Sequence, residues 1–233
     1  MATLEAAKTW VLEEPPPGVN IIGSEWVFKA KKDATGIFAH FKARLVAQGF
    51  SQIGGIDYDN TYAPVAWLAS SRAIIAMANR LSLELHQVDV KGVYLNGELN
   101  NNKVLYMQFP PDKKNQVTWE CVSSASRRFS MILLKQSGCQ WYQKLSSIFN
   151  SLNFTKCSVD QAVFFKADTL KNKITVVAMY VDDCTIAASN IRLIKDFKAG
   201  LRRHIKVTNL NELHWMLGVE IEWDRKASTI HLS

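Results

Sequence analysis

The apolar positions of the chain change period along its length, and those changes lay out its elements. Trp26-Val27-Phe28-Lys29-Ala30-Lys31 reads as a strand, residues 32–36 as a turn in which Gly36 is free to take positive φ, and residues 37–46 as the returning strand of a hairpin. Over residues 70–81 the period becomes helical: Ile74, Ile75, Met77, Ala78 and Leu81 recur at that spacing, with Ser70 or Ser71 available as a cap. Residues 83–94 return to a strand that runs toward the turn dipeptide Asn96-Gly97. Residues 140–152 predict a helix with Trp141, Leu145, Ile148 and Leu152 on one stripe. Residues 174–180 form an apolar, partly β-branched strand and residues 185–188 a shorter apolar run, with Asp182-Asp183 between them. Residues 190–204 predict a further helix, Ile194, Phe197 and Leu201 inward and Arg192, Lys195, Lys198 and Arg202 on the opposite side. Residues 217–232 read as two strands around Asp224-Arg225-Lys226. Pro15-Pro16-Pro17-Gly18 sets a short N-terminal helix apart from the hairpin. Strands and helices mix without strict βαβ alternation, which predicts an α+β fold.

Composition adds bounds rather than a function. A chain of 233 residues that is 48% apolar can bury the core of one large domain, or of two subdomains sharing a core. There is no internal repeat and no low-complexity tract. The balance of 28 basic against 21 acidic residues, a net charge of +7, tilts the expectation toward a polyanionic partner, nucleic acid above all. Cys121, Cys139, Cys157 and Cys184 lie far apart, which suggests free thiols rather than a zinc site or a disulfide framework. The first residues lack the pattern of a signal peptide, and no apolar run approaches a membrane span. The expectation is a protein acting in the cytoplasm or wherever its nucleic acid is, with no membrane partner.

The candidate chemistry lies in Asp182-Asp183. Adjacent carboxylates repel one another and resist burial unless cations neutralise them. Mg²⁺ prefers such hard oxygen ligands and takes one or two protein carboxylates together with substrate phosphate. Asp89 supplies a third carboxylate at the end of another predicted strand, after Leu85-His86-Gln87-Val88. One strand bringing Asp89 beside a hairpin bringing Asp182 and Asp183 would build a two-metal site for in-line displacement at a phosphate. An Asp-Asp pair seen alone reads rather as a polar hairpin turn, and it is the surrounding sequence that reverses this.

The surrounding segments carry a family resemblance. Tyr180-Val181-Asp182-Asp183 resembles the YVDD box of reverse transcriptases. Asp89-Val90-Lys91-Gly92-Val93-Tyr94-Leu95-Asn96-Gly97 is similar to the DVKTAFLNG box of the copia group, and Lys42-Ala43-Arg44-Leu45-Val46-Ala47-Gln48-Gly49-Phe50 to its KARLVAKGF segment. Trp26-Val27-Phe28-Lys29, Gly55-Ile56-Asp57-Tyr58, Thr61-Tyr62-Ala63-Pro64-Val65, Leu134-Lys135-Gln136, Trp141-Tyr142 and Leu217-Gly218-Val219-Glu220-Ile221 match further segments of that group in family order.

The resemblance implies a right-hand polymerase with fingers over residues 1–64 and 97–140 and a palm over 65–96 and 141–233. The palm would be an antiparallel sheet backed by helices, with no thumb. It implies RNA-directed DNA synthesis from a copia-type retrotransposon, with Mg²⁺ or Mn²⁺, an RNA template, a DNA primer and deoxynucleoside triphosphates. The setting would be a cytoplasmic virus-like particle or the nucleus. Asp89, Asp182 and Asp183 would hold the metal ions, with the Val90 carbonyl as a further ligand. Tyr94 would lie under the incoming sugar, or be an ordinary strand aromatic; Gln136 would lie beside the nucleotide, or be a surface amide. Lys42 and Arg44, on one face of their strand, would meet the triphosphate. Lys31 and Lys32 would assist or be solvated, and the strands containing Leu217 and Gly218 would grip the primer terminus. The basic side of the helix over 190–204 would track a nucleic-acid backbone or simply face solvent.

Some positions depart from the pattern. Ile132-Leu133 stand where Tyr-Gly is usual, Gly92-Val93 replace Thr-Ala, His40 stands where arginine is common, and residues 118–131 keep little of the pattern. On that resemblance the chain would stop where a thumb begins and would lack the protease, integrase and RNase H regions of such polyproteins. Two other readings therefore stand beside the polymerase: a catalytically silent nucleic-acid-binding remnant, and an RNA-templated RNA polymerase, which the bulky Tyr94 disfavours.

Overall fold

The computed structural model describes residues 12–32, 37–57, 61–91, 93, 106–108, 128–130 and 137–233. The expected N-terminal helix, most of the 32–36 turn, Tyr94, Asn96-Gly97, residues 118–127, Ile132-Leu133 and Gln136 lie outside the described residues. The chain divides into two compact units, Met1–Tyr62 with Gly97–Gln140, and Ala63–Asn96 with Trp141–Ser233.

In the first unit, β1 (Leu12–Glu13) and β2 (Ile21–Ile22) precede a long antiparallel ribbon of β3 (Ser24–Lys32) and β4 (Phe38–Ala47). The ribbon's cross-strand partners include Phe28 with Ala43, Lys29 with Lys42 and Val27 with Arg44. Side chains alternate across a strand, so Lys29, Lys31, Lys42 and Arg44 share one face, while Phe28, Ala30, Phe41 and Ala43 share the other. Asp57 is buried because it closes a turn: its Oδ2 accepts from the Ile53 amide at 2.7 Å and from Asn20 Nδ2 at 2.6 Å. Gly55 within that turn takes φ 82°, a conformation that favours glycine.

The second unit opens with α1 (Leu68–Arg80) and β5 (Glu84–Val90). The first unit then contributes β6 (Tyr106–Gln108) and β7 (Arg128–Ser130), which join β1 and β2 in the sheet order β1-β7-β6-β2. Next come α2 (Ser137–Ser151), β8 (Thr155–Lys156), β9 (Val163–Asp168), β10 (Lys173–Tyr180), β11 (Asp183–Ala188), α3 (Ile191–Arg202) and β12 (Val207–Glu212). The last are β13 (Trp215–Met216), β14 (Val219–Asp224) and β15 (Thr229–Leu232). The main sheet has the order β12-β5-β11-β10-β9-β8, and every pairing in it is antiparallel. Strands β8 to β11 form a meander; α3 then carries the chain past β5 to pair β12 on its far side.

Two apolar layers cover this sheet. On one face, Trp141, Leu145, Ile148 and Phe149 of α2 and Ile194, Phe197 and Leu201 of α3 pack on Val88, Val177, Met179, Cys184 and Ile186. The rings of Phe149 and Phe164 meet edge to face at 4.6 Å, a favourable arrangement for aromatic pairs. On the other face, Ile74, Ile75 and Ala78 of α1 pack with Leu85, Val176, Ala178 and Ala187 and with Met216 and Ile221 of the small sheet β13-β14-β15.

Two local expectations are corrected. Lys198 is not on the solvent side of α3: it is 5% exposed, and its ammonium lies between Asn209 Oδ1 and His86 Nδ1. Its spacing of four residues from Ile194 sets it on the inner edge of the helix. The cap of α1 is neither Ser70 nor Ser71. The helix starts at Leu68, and the buried Asp160 accepts from the Trp67 amide at 2.9 Å and from the Ala162 amide at 3.0 Å. Strands β9 and β12 go beyond the elements expected from the apolar pattern.

Candidate functional site

The site grows from two central strands of the main sheet. Asp183, the first residue of β11, is the register partner of Asp89 near the end of β5, and Tyr180 is the partner of Asp183 across the β10–β11 hairpin. Side chains of register partners emerge on one face. Asp89 and Asp183 therefore confront one another, with Asp182 next to them in the loop.

That loop is only Val181 and Asp182. Val181 takes φ 58°, which costs an L-residue about 1–2 kcal/mol and is least suited to a β-branched one. Two-residue hairpins favour positive φ at this position because it matches the strand twist. The loop is tied back to β5, where the Val90 amide donates to the Asp182 carbonyl at 2.8 Å. Its base is held as well: the Met179 amide donates to the Ala162 carbonyl at 3.0 Å, and the Met179 carbonyl accepts from the Ala66 amide at 2.8 Å.

The electrostatics are unfavourable for a site of carboxylates alone. Burial above all, then the Asp182 carboxylate and more weakly Asp89, push the Asp183 carboxyl above its ordinary range. Gln87 opposes this by donating Nε2 to Asp183 Oδ1 at 3.0 Å. Asp89 Oδ2 is shielded from solvent without a well-directed hydrogen bond, and its counter-charge is the Lys91 ammonium at 2.6 Å. Neighbouring carboxylates whose charges oppose one another suit the hard-oxygen chemistry of a divalent cation, which would relieve that repulsion. Among the described residues, no three His, Cys, Asp or Glu side chains form a preassembled metal cluster.

The other expected positions are spread over both units. Val90 is buried at the end of β5. Leu217 (φ 54°) and Gly218 (φ 84°) form the two-residue loop between β13 and β14, with both residues in the left-handed region that such hairpins use. Lys31, Lys32, Lys42 and Arg44 belong to the ribbon of the first unit, where Lys42 and Arg44 are exposed on one face. Tyr94 and Gln136 lie outside the described residues. Gln87 and Lys91 were not singled out from the sequence. Gln87 stands two residues before Asp89 on β5 and so on the same face, and Lys91 follows just beyond the end of the strand.

Residues 7–233 match the family described as Reverse transcriptase (RNA-dependent DNA polymerase), and the chain belongs to that family. Its relatives are copia-type Pol polyproteins. It is 34% identical over its whole length to the Retrovirus-related Pol polyprotein from transposon TNT 1-94 of Nicotiana tabacum, covering 17% of that protein. It is 32% identical to the Retrovirus-related Pol polyprotein from transposon RE1 of Arabidopsis thaliana, over 97% of this chain and 15% of the relative. It is 26% identical to the Transposon Ty1-BR Gag-Pol polyprotein of Saccharomyces cerevisiae, over 97% of this chain and 12% of the relative. The chain thus spans a small fraction of each relative's length. No described helix is long and apolar enough to cross a membrane.

Proposed function

We propose that this chain is the catalytic portion of an RNA-directed DNA polymerase, with the first unit as fingers and the second as palm. The observation that carries the reading is the register pairing of Asp89 with Asp183 beside Asp182, within a chain of the reverse transcriptase family. In the reaction, the primer 3′-oxygen forms a bond to the α-phosphorus of a deoxynucleoside triphosphate. The α–β bridging bond breaks, pyrophosphate leaves, and the hydroxyl proton is lost to solvent. Asp89, Asp182 and Asp183, with the Val90 carbonyl, would hold Mg²⁺ or Mn²⁺. When bound, these ions lower the pKa of the 3′-hydroxyl and offset charge on the leaving group. Lys42 and Arg44 bind the triphosphate, Arg44 in the bidentate manner of a guanidinium, with Lys31 and Lys32 adding positive charge beside them. Tyr94 and Gln136 contact the incoming nucleotide, and the Leu217-Gly218 loop meets the primer end. The partners are an RNA template and a DNA primer, in the cytoplasm or nucleus.

A second reading is a domain that binds nucleic acid but does not turn over. The observation favouring it is Lys91, whose ammonium already neutralises Asp89 at 2.6 Å and competes with a metal ion. Primer extension on an RNA template with Mg²⁺ or Mn²⁺ separates the two. The polymerase reading expects extension that Asp182→Asn abolishes while the fold is kept. Salt-sensitive binding without extension supports the second reading, and equal extension by both chains refutes the assigned site.

A further inference from the structure

The strained loop that carries Asp182 has a support from outside its own sheet. Trp141 lies on α2 with its ring buried among the apolar side chains behind the sheet, 4% exposed. Its indole Nε1 donates to the carbonyl of Val181 at 3.1 Å, across forty residues of sequence. Val181 is the loop residue at φ 58°. Both loop carbonyls are thus held from elsewhere, Val181 O by α2 and Asp182 O by the Val90 amide of β5. A strained backbone conformation persists only where its surroundings over-determine it. Phenylalanine would keep an aromatic ring in this part of the core, but it has no proton to give.

We propose that Trp141 is a positioning residue for the Asp182-Asp183 loop. Its ring is fixed by the core, and its N–H holds the Val181 carbonyl so that the next two residues present their carboxylates beside Asp89. This rests on reading those carboxylates as the metal-binding group. The ordinary alternative is that the indole merely satisfies its own buried N–H. In that case its loss weakens the whole core without a special effect on the loop.

The alternatives differ in where the loss is felt. Trp141→Phe removes the donor and part of the ring. Leu145→Ala removes packing from the same stripe of α2, where Leu145 is 1% exposed. Hydrogen exchange by NMR is read at the Val90 amide, which is bonded to the loop, and at the Val177 and Ile186 amides of the central strands. The expected result is that Trp141→Phe speeds exchange at Val90 about tenfold relative to the two core amides, whereas Leu145→Ala speeds all three alike. Equal Val90-to-core ratios in the two variants overturn the proposal. Should Trp141→Phe not fold, the wild-type chain decides. The Trp141 indole proton and the Val90 amide should then share one opening rate, and an unprotected indole proton overturns the proposal. A parallel titration with Mn²⁺ alone, followed by line broadening at Asp182 and Asp183, should be weakened about tenfold by Trp141→Phe. Wild-type protein that does not bind Mn²⁺ refutes the reading of the carboxylates as a metal site, while the exchange ratios still decide the role of Trp141.

Discussion

Asp183 sits where burial and two neighbouring carboxylates all oppose its charge, and only the Gln87 amide favours it. The sign of the resulting pH dependence comes from linkage. The folded chain keeps the Asp183 proton to higher pH than the unfolded chain, whose carboxyl ionises near 3.8. Between that value and the raised one the unfolded state binds fewer protons, so stability falls as pH rises through the window and stays reduced at neutral pH. Asn at this position keeps an oxygen for Gln87 and removes the charge. Metal-free Asp183→Asn should therefore melt above the wild type at neutral pH, with the gap closing near about pH 3. Added Mn²⁺ should raise the melting temperature of the wild type and leave that of the variant unchanged, because a ligand stabilises only the state that binds it. Thermal melts in chelator and in Mn²⁺ across that range check this; a variant that melts below the wild type at neutral pH contradicts the electrostatic account.

At the scale of elements, the parts legible in the sequence are those whose reason for forming is local. Residues 173–188 show an apolar strand, a polar break and a second apolar run, and the structure turns them into β10, the Val181-Asp182 loop and β11. The stripe of Trp141, Leu145 and Ile148 likewise becomes the buried face of α2. Features set by distant partners were not legible. Residues 207–212 have no clean alternation and form β12 because β5 offers them a ladder, with an irregular register between Asn209 and Asn211. Lys198 looks like a solvent residue by type, and only the neighbouring β5 and β12 supply His86 and Asn209 to receive it. Its burial lowers its pKa, as burial and Lys198 together lower that of His86. The start of α1 is the clearest case, since its acceptor lies on Asp160, 93 residues away from Trp67. Asp160→Ala would strand the Trp67 and Ala162 amides, each orphaned donor costing about 1–3 kcal/mol. A loss of about 2–4 kcal/mol in urea unfolding is expected, larger than the cost of about 1 kcal/mol for a surface cap. A loss within the surface-cap range would mean that water replaces the carboxylate.

For the whole molecule, the question is which of its positive charges meet nucleic acid. The net charge of +7 is a sum over the chain and does not locate a surface. Two exposed sets compete. One is the ribbon face with Lys29, Lys42 and Arg44; the other is the outer side of α3 with Arg192, Lys195 and Arg202, now without Lys198. On a strand pair the cations stand in a row against one target, whereas on an amphipathic helix a polar outer side is what solvent requires in any case. Each phosphate neutralised releases condensed counterions and adds about one unit to the slope of log affinity against log salt. Replacing Lys29 and Lys31 of that ribbon face by alanine should therefore lower that slope by about two for a primer–template duplex, while replacing Arg192 and Lys195 should leave it within about half a unit of the wild type. Asp183→Asn should keep the full slope, since it removes no cation. The measurement is a fluorescence-anisotropy titration at several salt concentrations. If the α3 pair lowers the slope as much as the ribbon pair does, the helix side is a nucleic-acid surface too, and the first unit is not the principal contact.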